Sequence, residues 1–255
     1  MTKKFAGTVS VQIENYLKKF LDKAAHRFYE MRVILRASED TTFTSLASKT
    51  PAGTVVDLRV AETANISDVI NKQTNLCIAD IFESFIDFMN DLLTILIVQN
   101  EGGIIVSRPL NGEAEIQDYV NEYMERKMKD VVKDRRYDVP KKISVLTPDY
   151  EVSNFLNALN SVRISVRHYD GIAKDDITLE YSFLDLLVGQ STIQSLPIMV
   201  DAGENIGIRL STKTIMFRKD EKLSFNEQEV QSILFTLQSI SGPSLARTVQ
   251  KVISK

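Results

Sequence analysis

The chain has 255 residues, of which 44% are hydrophobic and 25% charged, and its formal net charge is -3. This is the composition of a packed globular protein and excludes a disordered, collagenous or membrane chain. A charge so close to zero provides no global field towards nucleic acid, so any RNA or DNA binding must come from a local patch.

A single cysteine, Cys77, rules out an intramolecular disulfide and a CxxC-type zinc site, and fits a reducing compartment. The N-terminus carries basic residues without an apolar block behind them, and the most apolar run, Leu92 to Val98, is too short to span a bilayer. A cytoplasmic protein without a membrane partner is expected.

From about Val9 to Leu35, Ile13, Leu17, Phe20, Leu21, Ala24, Phe28, Met31 and Leu35 recur at three-and-four spacing, which predicts a long helix. His26 lies on its polar side and reads as a surface residue. Ser38 to Gly53 reads as a loop, and Thr54 to Val60 as either a strand or an irregular connection.

A second apolar stripe runs from about Ser67 through Cys77, Phe82, Phe85, Met89 and Leu96 to a stop at Gly102 and Gly103, and is expected to be the most buried helix. Cys77 belongs to that core, while Asp80, Glu83, Asp87 and Asp91 read as its solvated flank.

Ile104 to Val106 is a short β-like run. The helix after Gly112 is expected to turn Ile116, Val120, Met124, Met128 and Val132 inward. Its far end, Arg126 to Lys142, gathers Arg126, Lys127, Lys129, Lys133, Arg135, Arg136, Lys141 and Lys142 against three acids. Such a cluster is either a charged helix end or a track for a phosphate backbone, with Arg126, Lys127, Lys133, Arg135 and Arg136 as RNA-binding candidates.

Thr147-Pro148-Asp149 reads as a helix start with Thr147 as N-cap. Val152, Leu156, Leu159, Val162 and Val166 form that helix's apolar face, and Arg163 falls on the same stripe. A buried guanidinium needs an anion, so Arg163 either faces an anion-binding cleft or meets a carboxylate.

Beyond Gly171, Phe183 to Val188 reads as a short helix-like run. Pro197 to Ala202, Ile206 to Ser211 and Thr214 to Phe217 read as a hairpin or small meander, divided by Gly203-Glu204-Asn205 and by Thr212-Lys213. Ser224 to Glu227 reads as a capping box ahead of Val230, Ile233, Leu234, Leu237 and Ile240. Ser241-Gly242-Pro243 is expected to break that helix before a last short one. The fold class is therefore mainly α with a small β element near residues 197-217.

No phosphate-binding loop, dinucleotide fingerprint, HExxH, calcium loop or GxSxG occurs, so no cofactor and no metal are expected. The chemistry concentrates instead in Asn160 to Ile172, NSVRISVRHYDGI, which holds Arg163, Arg167 and His168, the last being one of only two histidines.

Arg163-x-x-x-x-His168-x-x-Gly171-Ile172 at a helix end resembles the R-x4-6-H motif of the HEPN superfamily, many members of which are metal-independent RNases. Ile164 stands where that motif often has a polar residue, and Tyr169 where Asn is frequent. The resemblance implies a helical bundle of HEPN type over residues 1-255, a single domain with an N-terminal helical extension and a small C-terminal β insertion.

It implies Arg163 and His168 as catalytic residues, RNA as substrate with Arg167 as a further contact, a homodimer, a regulatory protein partner, and a setting in toxin or antiphage defence systems. A catalytically inactive HEPN-like binding or assembly module is the alternative. Five residues apart on an ideal helix, Arg163 and His168 point about 140° away from each other, and in the family a dimer resolves this by bringing two motifs together.

Overall fold

Long amphipathic runs become long helices in the computed structural model. It describes residues 2–39, 66–101, 104, 112–134, 136–147, 149–188, 191–193, 206–246 and 249. The helices are α1 (Thr2–Glu39), α2 (Ile66–Asn100), α3 (Glu113–Lys133), α4 (Val139–Leu146), α5 (Tyr150–His168) and α6 (Glu227–Ile240). Three strands, β1 (Ile177–Val188), β2 (Ser191–Ile193) and β3 (Ile206–Phe217), form an antiparallel sheet in the order β2-β1-β3. The described protein is thus mainly helical with a small sheet. The readings for Ser38 to Gly53, Thr54 to Val60 and Pro197 to Ala202, and that of a last short helix, lie wholly or largely outside the described residues.

The chain gathers into two units, and α1, α2, α5 and α6 each contribute one segment to either. The first unit comprises residues 1–23, 82–160 and 236–255. Its core is aromatic: Phe20 meets Phe85 edge-on with ring centroids 5.4 Å apart and stacks on Phe88 at 5.7 Å. Along α3 the buried residues are Val120, Met124 and Val131, while Ile116 and Val132 are exposed. The inward face is therefore rotated from the expected one, with Val131 and not Val132 completing it.

α4 occupies part of the basic stretch. The Asp138 side chain accepts from Lys141 N and caps the helix start, and Lys142 is buried. Thr147 closes α4 instead of opening α5, since its hydroxyl donates to the Ile143 carbonyl at 2.6 Å. The carboxylate of Asp149 takes the N-cap role at α5, accepting from Glu151 N and Val152 N. A carboxylate suits that position because it meets the unpaired amides of the first turn with a full negative charge.

Asp91, expected on a solvated flank, is buried at 6% exposure, whereas Asp87 is exposed and 3.4 Å from Lys23. After α6 the chain continues through Ser241–Ala246 as a π-helical turn across Pro243, so the expected break is a change of helix type.

The second unit comprises residues 24–81 and 161–235. Phe183 to Val188, read as helix-like, is the second half of strand β1, and Thr212-Lys213 lies inside one continuous strand β3. The register runs without interruption from Ile177 opposite Phe217 to Val188 opposite Ile206. Strict alternation explains the first half of β1: Ile177, Leu179 and Tyr181 are buried while Thr178 and Glu180 are exposed.

α6 is capped at Asn226, whose Oδ1 accepts from Glu229 N while Glu229 Oε2 accepts from Asn226 N. This is a reciprocal capping box two residues beyond the one read at Ser224. Phe225 and Val230, at the two positions of a hydrophobic staple, are both buried.

Candidate functional site

The end of α5 is set by its last backbone bonds. Ser165 O accepts from both Tyr169 N and Gly171 N, at 3.0 Å each. Asp170 and Gly171 then adopt left-handed φ values of 52° and 77°. The reversal carries the chain into a short pairing with residues 220 to 223: Ala173 N donates to Glu221 O, Asp220 N to Ala173 O and Leu223 N to Gly171 O, all at 2.8 Å.

Asn75 of α2 locks the junction. Its Nδ2 donates to Leu223 O at 3.0 Å, and a Cβ on Gly171 would stand 3.4 Å from the same nitrogen. Glycine is needed at 171 for the backbone, since a side chain in the left-handed region is strained.

On this frame His168 is exposed in the last turn of α5, and Arg163 is half-buried and takes part in a polar or electrostatic contact. The apolar stripe on which Arg163 was expected is led by Leu156, Leu159 and Val162, with Arg163 at its border. Arg167 has a carboxylate partner: its guanidinium is paired with Asp80, which also stands 4.0 Å from Arg27. Arg163, Arg167 and His168 fall in the second unit.

The basic candidates fall in the first unit, and two of them are held by acids. Lys127 Nζ is 2.6 Å from Glu101, and Arg136 chelates Asp134 with bonds of 2.7 to 3.0 Å. Arg126 lies over the Tyr123 ring at 5.4 Å, Lys133 is exposed, and Arg135 lies outside the described residues. Exposed pairs of this kind exchange readily with other anions, because each is worth under about 1 kcal/mol.

His26 is exposed with Nε2 3.2 Å from Glu30, as a surface histidine would be. Cys77 is buried, and its thiol is pushed up to about 12 chiefly by burial and further by Asp80, which removes it as a nucleophile. Among the described residues no group of His, Cys, Asp and Glu is arranged to hold a metal ion, and no helix is long and apolar enough to cross a membrane.

Sequence reasoning missed a cavity beside the motif. It measures about 290 Å³ and is lined by Tyr169, Ile172, Ala173, Lys174, Asp175, Lys219 and Asp220. Its signal in the sequence was Tyr169 itself, an aromatic directly after the histidine.

No protein-family model, no curated protein and no solved structure matches this chain. The class that the fold defines is a mainly helical protein with a small antiparallel sheet.

Proposed function

We propose that this chain is an endoribonuclease of HEPN type that cleaves RNA through the substrate's own 2′-hydroxyl, without a metal, at a site composed of Arg163 and His168 from two protomers. The observation that carries the reading is the exposure of His168 at the C-terminal end of α5, with Arg163 about 1.4 turns earlier on the same helix.

Attack of the 2′-oxygen on phosphorus forms one P–O bond and breaks the bond to the 5′-oxygen, leaving a 2′,3′-cyclic phosphate and a 5′-hydroxyl. One proton must leave the 2′-hydroxyl and one must reach the 5′-oxygen. A single imidazole cannot be base and acid at once, whereas two copies of His168 supply one of each. The guanidinium of Arg163 meets the charge that develops on the phosphorane, for which its planar fork of donors is suited.

The second reading is a HEPN-like binding or assembly module without catalysis, and the residue that favours it is Ile164, half-buried directly after the arginine. Incubating RNA with the wild-type chain, Arg163→Ala and His168→Ala separates the two. The endoribonuclease gives cleavage by wild type only, with a loss of at least about 100-fold in each variant. RNA binding without cleavage by any of the three selects the module.

A further inference from the structure

We infer that the cavity beside His168 is a nucleoside subsite that stacks one base of single-stranded RNA on Tyr169 and holds the adjoining phosphate with Lys174 and Lys219. The inference rests on the reading of His168 as part of an RNA-handling site and names what lies next to it.

The cavity is built. Its two walls, the segment from Tyr169 to Asp175 and the turn at Lys219 and Asp220, are joined by the bonds of Ala173 to Glu221 and Asp220 and of Gly171 to Leu223. The turn is fixed further by Lys219 N donating to Asp176 Oδ1 at 2.8 Å and by Arg218 N donating to Glu221 Oε2 at 2.7 Å. Walls held in this way give a pocket that is formed before the ligand arrives.

Its volume of about 290 Å³ falls just below the range of small-ligand pockets, which run from about 300 to 1,000 Å³. That is room for one nucleoside and not for a longer stretch.

The lining is of the right chemistry. Tyr169 is 40% exposed and Ile172 44% exposed, a large apolar surface left open at the mouth of a polar turn, over the fully buried Ala173. The Lys174 ammonium lies over the Tyr169 ring, 5.6 Å from its centre, so a cation is already held at the ring on which the base is inferred to stack. Aromatic rings stack bases of any sequence, lysine meets phosphate as a point charge, and carboxylates such as Asp175 and Asp220 accept from base amino groups and ribose hydroxyls. Tyr169 also follows His168 directly in the chain, so the cavity begins one residue from the proposed acid and base.

The test measures binding apart from cleavage. A labelled single-stranded RNA oligonucleotide of mixed sequence is titrated by fluorescence anisotropy with the full chain carrying His168→Ala, alone and with further substitutions. Tyr169→Ala is expected to weaken binding about 5- to 150-fold, the range given by removing a stacking aromatic, and Tyr169→Phe to leave it within about twofold. Lys174→Ala with Lys219→Ala is expected to weaken binding and flatten its salt dependence.

Unchanged affinity in Tyr169→Ala, or no binding by the His168→Ala parent, overturns the subsite. Cleavage by wild type together with unchanged binding in Tyr169→Ala overturns the subsite and leaves the endoribonuclease standing. Lost binding in Tyr169→Ala without cleavage by wild type does the reverse.

Discussion

Asp91 is a carboxylate in surroundings that oppose its charge. Burial in the middle of α2 raises its pKa from 3.8 to about 6, Asp87 adds to the rise, and Lys19 and Lys23 only partly offset it. A folded-state value above the unfolded one means that folding takes up a proton. The contribution of Asp91 is therefore fully favourable below about pH 4 and is lost as the pH rises through about 6, a change of roughly 3 kcal/mol. Asp91→Asn removes the titration, so the variant is expected to be about 2 kcal/mol more stable than wild type at pH 7.5, with the difference closing towards pH 4. Urea unfolding of both proteins across that range checks this, and parallel pH profiles contradict it. The residue was read as one of a solvated acidic row because Asp80, Glu83, Asp87 and Asp91 share a flank by spacing. Periodicity reports which side of a helix a residue takes, not which neighbours cover that side, and α1 supplies both lysines near Asp91.

At the scale of elements, the helices were the most legible part of the chain. Runs of fourteen or more residues at a period of 3.6 leave little room for another structure, and α1, α2, α3 and α6 all form where an apolar run is expected, although the buried face of α3 is rotated from the expected one. Strand β1 was half missed, because FLDLLV is a short apolar run that fits a buried strand and a helix equally well, whereas ITLEY just before it alternates cleanly. Thr212-Lys213 looked like a divider only because it is polar. Neither residue is a turn former, and an edge strand keeps polar side chains exposed. The cap of α6 was displaced by two residues because Ser224 and Asn226 both have a glutamate three positions on. The structure uses Asn226, whose partner Glu229 also bonds Lys213 Nζ at 2.8 Å, while Ser224 donates to Asn71. Asn226→Ala leaves Glu229 N without its acceptor and is expected to cost about 1 kcal/mol, read as a lower urea midpoint at unchanged slope. Ser224→Ala should move the midpoint by less than half as much, and equal effects would return the cap to Ser224.

At the scale of the whole molecule, the candidate site was legible only as a string of residue types. Arg163, His168 and Gly171 were visible because histidine is scarce in this chain and because the glycine follows a helix end. The cavity was not, since its second wall comes from residues 219 and 220, fifty positions away, and depends on the backbone pairing at Ala173. The proposed site is shared between protomers, and the spacing along α5 is the reason for proposing it so. Arg163 and His168 are five residues apart along α5, about 7.5 Å in rise and about 140° in direction, so on the proposed reading the arginine and the histidine that meet one phosphate come from different copies of the motif. A composite site has a kinetic consequence that a one-protomer site lacks. If a fixed amount of wild-type chain is mixed with increasing His168→Ala chain and allowed to exchange, each mixed dimer keeps one imidazole where acid and base are both needed. Cleavage is then expected to fall towards zero as the variant comes into excess, because nearly every wild-type protomer is paired with an inactive one. A site complete within one protomer holds the rate constant through the same titration, and that result would end the shared-site reading while leaving the roles of Arg163 and His168 in place.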